Sequence, residues 1–289
     1  MSLPRGRIAR AWLTYASDRA ALISLIFLVA VLLASIFAPY ISPHDPYEAE
    51  RMMRNKPPLT ENYLLGSDSN GRDILTRLFY GGRTSLLVGF VPTVVATLFS
   101  LALGLLAGYF GGWIDQLIMR VLDAFFAVPL VLLAIAIAGV LKPGVITEVI
   151  AITVVLVPYI TRVVRTSTHQ VITQPYIEAA KGGGASELTI VLRYVLPNMI
   201  SPVIVYATTL VGLMIVVGSG LSFLGLGIQP PGADWGTMVS DGRLVLRKAP
   251  FATVFPGLAI VAVALAFNFI GDGLRDALDP KTVARRDAR

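Results

Sequence analysis

Charge is missing from this chain in long blocks, and that constrains its fold more than any motif does. No charged residue stands between Arg19 and Asp45, between Arg83 and Asp115, between Arg193 and Asp234, or between Lys248 and Asp272. A helix needs about 20 apolar residues to cross a hydrocarbon core, and each block can hold one. Two further apolar stretches complete a set of six spans: 21–39, 85–110, 116–141, 146–163, 198–223 and one between Lys248 and Asp272. The 116–141 span carries Arg120 and Asp123 in its first turns, and 146–163 is the weakest, squeezed between Glu148 and Arg162. Over all 289 residues only 15% are charged, where a soluble domain carries about 25%. With 55% hydrophobic residues and a mean hydropathy of +0.72, the apolar side chains exceed what one soluble core can hide. A soluble globular enzyme, a disordered chain and a secreted disulfide scaffold are therefore excluded, and the fold class is an all-α membrane protein with six transmembrane helices.

An even number of spans puts both termini on one side. Arg5, Arg7, Arg10 and Arg19 precede the first span, and Arg275, Lys281, Arg285, Arg286 and Arg289 follow the last. On that side fall 14 of the 24 Lys and Arg residues, against 10 on the other. The excess of Lys and Arg predicts cytoplasmic termini. The net charge of +6 then reports cytoplasmic ends and not a nucleic-acid partner. The first span is longer than the apolar core of a signal peptide and lacks a small-x-small cleavage pattern, so it reads as a retained helix.

Catalytic constellations are missing. With no cysteine, thiol catalysis, thiolate ligation and disulfides are out. No Gly-x4-Gly-Lys-Ser/Thr phosphate loop, HExxH zinc motif or GxSxG elbow occurs, and His44 and His169 stand far apart in the chain. Arg120 and Asp123, spaced i, i+3, are expected to pair with each other. The chain does not read as an enzyme, and no cofactor or metal is expected on it.

Between the first two spans lies an external loop over 40–84. It opens with Pro43 and Pro46, and from Asp73 onward Ile74, Leu75, Leu78 and Phe79 recur at helical spacing. This predicts a short amphipathic helix on the bilayer or protein surface. Gly104 and Gly108 have the spacing that lets two helices approach closely. Pro92, Pro129, Pro158, Pro202 and Pro256 favour kinks in or near spans. Trp235 and the Gln229-Pro230-Pro231 turn read either as an interfacial anchor and loop or as a contact surface for an external protein. Asp272, Arg275 and Asp279 read as a surface ion network at the end of the sixth span.

The longest loop on the terminal side, 164–197, has internal design. Pro175 can open a helix at its first turn, and Ile177, Ala179 and Ala180 continue it. The run Gly182, Gly183, Gly184 ends it, since glycine costs a helix about 1 kcal/mol per residue and takes the left-handed cap conformation. Ser186 can N-cap a second helix running to Pro197. Two short helices joined by a glycine turn, held at both ends by spans, make a lever able to fit a groove on another protein.

This loop resembles the EAA loop of ABC-importer permease subunits. Glu178, Ala179, Ala180, Gly184, Leu196 and Pro197 fall at its spacing, while Tyr194 stands where the pattern has Ile, and Gly182 and Gly183 add two glycines. The strings 65–73 (LGSDSNGRD), 107–113 (AGYFGGW), 220–231 (GLSFLGLGIQPP) and 271–280 (GDGLRDALDP) are similar to the second, C-type permease subunit of the oligopeptide, dipeptide, nickel, glutathione and opine importers.

The resemblance implies a type I ABC-importer permease fold. It divides the chain into a cytoplasmic tail 1–20, a first helix and external loop 21–84, a transmembrane core 85–275 containing the coupling loop 164–197, and a cytoplasmic tail 276–289. It implies a heterodimer with a homologous permease subunit, two ABC ATPase subunits that bind ATP and Mg, an external solute-binding protein, and residence in the lipid of a bacterial inner membrane. Glu178, Ala179, Ala180, Gly182, Gly183, Gly184, Leu196 and Pro197 would then couple the spans to the ATPases. Peptide is the expected cargo, with nickel, glutathione and opines as alternatives. A secondary transporter or channel would instead show polar residues deep in the spans and internal repeats.

Overall fold

The weakest of the expected spans is the best packed. The computed structural model describes residues 12–60 and 62–278. The basic residues Arg5, Arg7, Arg10, Lys281, Arg285, Arg286 and Arg289, together with Asp279, lie outside the described residues. Helices α1 (Arg19–Ile36), α2 (Ile74–Phe110), α5 (Val145–Ile172), α7 (Glu187–Phe223) and α9 (Phe251–Leu278) are each long and apolar enough to cross a membrane. Shorter helices lie between them: α3 (Gly112–Phe125), α4 (Leu130–Val140), α6 (Pro175–Gly182) and α8 (Trp235–Arg243). No regular strand occurs among the described residues.

The third expected span, 116–141, is broken. Its halves α3 and α4 meet at 83° across a short break, so the chain has six spans only if this bent pair counts as one. Pro129 is the cause: it sits at the N-cap of α4, where a ring without an N–H cannot continue α3. Pro92, Pro158, Pro202 and Pro256, by contrast, lie inside uninterrupted helices.

The expected separate amphipathic helix is also revised. Ile74, Leu75, Leu78 and Phe79 form the first turns of α2, which runs on for 37 residues, roughly 55 Å at 1.5 Å per residue. Asp73 starts it: its carboxylate accepts the Thr76 backbone N–H at 2.9 Å and the Thr76 hydroxyl at 2.6 Å. Part of α2 therefore stands outside a hydrocarbon core about 30 Å thick.

Helix α7 packs on α2, α5 and α9, while α2 and α5 make the most extensive pairing in the fold. One core gathers Ile152, Leu156, Ile160 and Val164 of α5 with Met199, Val203 and Met214 of α7. A second joins Leu28, Ile74, Ile215, Trp235, Val263 and Ile270 around α1, α8 and α9. Lipid is as apolar as these side chains, so close packing holds the helices together and apolar burial adds little. The expected close approach is realised between α2 and α5. A Cβ on Gly104 would stand 2.5 Å from Val164 Cβ, and one on Gly108 would stand 2.7 Å from Thr168 Cβ.

Replacing Gly104 with Leu should destabilise the solubilised protein by about 1–3 kcal/mol, the usual cost of overpacking. Gly220→Ala, in the same class of helix but with nothing within 4 Å of its added methyl, should leave the thermal unfolding midpoint unchanged or raise it.

Candidate functional site

The segment 173–197 folds as a turn between two helices. Pro175 opens α6 at its first turn. The helix then closes in a Schellman pattern: the Ala185 N–H donates to Ala180 O at 3.1 Å and the Gly184 N–H to Lys181 O at 3.0 Å. Gly184 alone of the three glycines takes a left-handed φ, +77°. Gly182 is the last helical residue, and Gly183 has an ordinary φ of −78°. Ser186 N-caps the next helix, its hydroxyl accepting the Thr189 N–H at 3.4 Å.

The second helix does not stop at Pro197. Val191–Val195 form a π-turn that leads directly into the rest of α7. The Leu196 N–H reaches back to Val191 O, one residue further than an α-helix allows. A wider turn makes room for the proline ring, which would otherwise strike the carbonyl four residues earlier. Leu196 is half-buried and packs on the main core, while Pro197 is exposed.

The loop is anchored on one side and open on the other. Ile177 and Ile190 are fully buried in the same core as α5. Glu178, Ala179, Gly182, Gly183 and Gly184 are exposed, and Ala180 is half-buried. Glu178 makes no ion pair among the described residues. The expected residues are thus brought together on one turn, except that Leu196 and Pro197 belong to the next helix.

Tyr109, near the end of α2, is a member of this site that the spacing of the loop did not disclose. Its hydroxyl donates to the Glu187 carboxylate at the start of α7, and Lys181 of α6 stands 5.5 Å from its ring centroid. One side chain therefore grips both helices of the turn. The chain can reverse just beyond it because Gly111 takes φ +63°.

Ion pairs tie α3 to α5 near this end. Asp115 accepts from Arg165 through both carboxylate oxygens, and Asp123 pairs with Arg162. The expected Arg120–Asp123 pair is not formed, because the α5 arginines reach the same face of α3. Asp272 and Arg275 do pair, at 3.4 Å and well exposed.

At the opposite end of the bundle, the string 65–73 folds into a cap. Arg72 pairs with Asp68 at 2.7 Å and Asp241 at 3.3 Å. Trp235 is only 2% exposed, which overturns the interfacial-anchor reading. Its indole N–H donates to Leu78 O at 3.0 Å and its backbone N–H to the Ser85 hydroxyl at 3.0 Å, so the ring is wedged inside the fold. Beside it the Ser222 hydroxyl lies 2.7 Å from Glu148 Oε1 and 2.9 Å from Asp234 Oδ2. A hydroxyl has one hydrogen to give, so the set closes only with a further hydrogen shared between the two acids. Burial pushes the Asp234 carboxyl up, and bonds from Thr237, Ser222 and the Gly236 N–H pull it partly back.

Two outcomes follow from this geometry. Gly184→Ala forces a left-handed backbone on a residue with a Cβ, at a cost of about 1–2 kcal/mol, and should speed amide exchange over 182–190. Gly182→Ala, helical and unobstructed, should slow it or leave it unchanged. For Asp234, a raised folded pKa means stability is highest below its ordinary value of 3.8 and falls as pH rises through the raised value. The thermal stability of the wild type should therefore gain on that of Asp234→Asn as the solution is acidified.

Residues 100–284 match the family described as binding-protein-dependent transport system inner membrane component, and residues 6–58 match the N-terminal TM domain of oligopeptide transport permease C. The dipeptide transport system permease protein DppC of Alkalihalophilus pseudofirmus is 44% identical, over 91% of this chain and 86% of its own length. That of Haemophilus influenzae is 40% identical over 96% of both chains. The glutathione transport system permease protein GsiD of Escherichia coli is 42% identical over 93% of this chain and 89% of its own. Among solved structures, the inward-facing MetNI methionine ABC transporter superposes with a TM-score of 0.59 at 18% identity, covering 70% of this chain and 97% of that one. That likeness bears on the fold alone.

Proposed function

Since the chain belongs to the family of binding-protein-dependent transport system inner membrane components and is an ABC-importer permease subunit, we propose that it forms half of a path for short peptides or related small solutes. The relatives named for dipeptides, di- and tripeptides and glutathione support that cargo class. The other half of the path is a homologous permease subunit. An external solute-binding protein delivers the cargo, and two ATPase subunits hold ATP and Mg. This chain catalyses no reaction itself. It resides in a bacterial inner membrane with both termini and the 164–197 loop in the cytoplasm, as the distribution of Lys and Arg favours.

The observation that carries this reading is the exposed turn of α6. Glu178, Ala179 and Gly184 lie open on it, while Ile177 and the Tyr109 grip fasten it to α2, α5 and α7. A surface open to a partner and rigidly joined to three spans can turn the partner's motion into helix movement. The ATPases supply the free energy, and the permease needs only two arrangements of similar stability. Glu178 faces the ATPase groove, Ala179 and Ala180 allow close approach, and Gly182, Gly183 and Gly184 shape the turn.

The test is uptake by the assembled complex carrying Gly184→Pro, since proline's fixed φ near −65° cannot reproduce +77°. Dipeptide uptake should fall by at least about tenfold, equivalent to roughly 1.4 kcal/mol of lost coupling, with the ATPase subunits still co-purifying. Unchanged uptake by an intact complex would remove the coupling role from this turn.

A further inference from the structure

The break between α3 and α4 carries features that lipid does not tolerate. Residues 126–129 are non-helical inside a bent pair that passes as a span only as a whole, and Ala127, Val128 and Pro129 are exposed there. The N-terminus of α4 has no side-chain cap, so its first N–H groups receive no side-chain acceptor. One turn earlier, the Asp123 and Arg162 side chains remain 52% and 47% exposed while paired with each other. Arg162 also stacks its guanidinium 3.8 Å over the Phe126 ring, and Phe126 lies 4.8 Å from the ring of Tyr159. Arg162 lies seventeen positions into α5, about 25 Å along a helix rising 1.5 Å per residue. Ten further residues of α5 separate it from the end of that helix at Ile172.

Irregular backbone at membrane depth persists only where protein buries it or water bathes it. Charged side chains within a span face a bundle interior or an aqueous cavity. Within this chain neither the break nor the ion pair is buried, and a charged pair left open on the face of a span suits water and not lipid. We infer that the α3–α4 break and the Asp123–Arg162 pair line the solute path and bind the charged ends of a small zwitterion.

The chemistry matches that class of ligand. Arg162 offers a planar donor fork to a carboxylate. Asp123 accepts from an ammonium group. The uncapped N–H groups of α4 add donors suited to a negative end, and Phe126 with Tyr159 gives an apolar wall for a side chain between the two ends. The existing ion pair keeps both charges compensated when no solute is present. A solute with both charges can replace each half of it, so neither charge is stranded on entering or leaving. Arg120, exposed and without an ion pair among the described residues, extends the polar face of α3 toward the loop end. The assignment rests on the transport reading above and names the side chains that the cargo meets.

The absence of cysteine from this chain makes the test direct. Ala127→Cys and Val128→Cys, each in the full complex in native membrane vesicles, would be exposed to a charged, membrane-impermeant thiosulfonate. Leu188→Cys on the exposed turn serves as the water-facing standard. Leu98→Cys, on an apolar face of α2 and 63% exposed in this chain, serves as the lipid-facing one. The break positions should label near the rate of the Leu188 site and at least about tenfold faster than the Leu98 site, given what a charged reagent costs in hydrocarbon. Dialanine should slow that labelling. Arg162→Gln should lower uptake of dialanine more than that of its C-terminal amide, and Asp123→Asn should lower it more than that of N-acetyl-dialanine. Labelling at the Leu98 rate would overturn the inference, placing the break against lipid or the partner subunit. Fast labelling that dialanine does not slow, or equal losses for the free and blocked peptides, would overturn its solute-binding part. Dialanine uptake by the wild-type complex is measured in the same vesicles. If that fails, the peptide reading fails, while the labelling rates still decide whether the break faces water.

Discussion

Backbone approach between helices is the interaction on which the rest of this structure depends. Where α2 meets α5, Gly104 and Gly108 leave no room for a methyl group against Val164 and Thr168. Where α7 meets α9, a Cβ on Gly212 would stand 2.7 Å from Ala264 O, and where α8 starts, one on Gly236 would stand 2.3 Å from Ser219 O. In lipid, association rests on such shape matching and on hydrogen bonds across helices. The Ser100 hydroxyl provides one of these, donating to Val157 O at 3.1 Å. With α2, α5 and α7 held this closely, the turn at one end and the cap at the other are built on a common frame.

Much of this was readable from the chain. The uncharged blocks located α1, α2, α7 and α9, because the cost of placing charge in hydrocarbon leaves a plain mark on composition. Helix α5 was harder, since Glu148 and Arg162 interrupt its apolar run. Both are explained by what surrounds them: Glu148 is buried against Ser222, and Arg162 is paired with Asp123. Pro129 was one of five prolines expected to favour a kink, but that it alone breaks a span was not legible, because the flanking residues are apolar and hydropathy alone does not register direction. The start of α2 was misread for the opposite reason. Arg72, Asp73 and Arg77 look like surface residues in sequence, yet Asp73 and Arg77 are each 1% exposed, Asp73 held by Thr76 within the same turn and Arg77 by the distant Pro46 carbonyl.

The loop site was legible in outline and not in its attachment. Proline, glycine and serine each have strong local preferences, so the start of α6, the turn at the 182–184 glycine run and the cap at Ser186 could be placed in advance. The three glycines could not be told apart, because only the hydrogen bonds of Ala185 and Gly184 decide which of them must be left-handed. The end at Pro197 was misplaced because a π-turn absorbs the ring that would ordinarily stop a helix. Tyr109 lies outside the loop altogether, and a pattern confined to nearby residues carries no sign of its grip. Trp235 was read as a surface residue, facing either the bilayer interface or an external protein, whereas the partners of its two N–H groups hold it inside.

Helix α7 begins at the Ser186 cap and ends one residue after Ser222, the hydroxyl that sits between Glu148 and Asp234. A single rod thus joins one surface of the protein to the other, and its hydrogen-bond ladder is altered at the π-turn of Val191–Val195 and at Pro197 and Pro202. Such a rod has little freedom to bend along its length. A tilt imposed beneath Ser186 would be carried as torque to the far surface, where the first things to give would be the two hydrogen bonds between carboxyl groups and a serine.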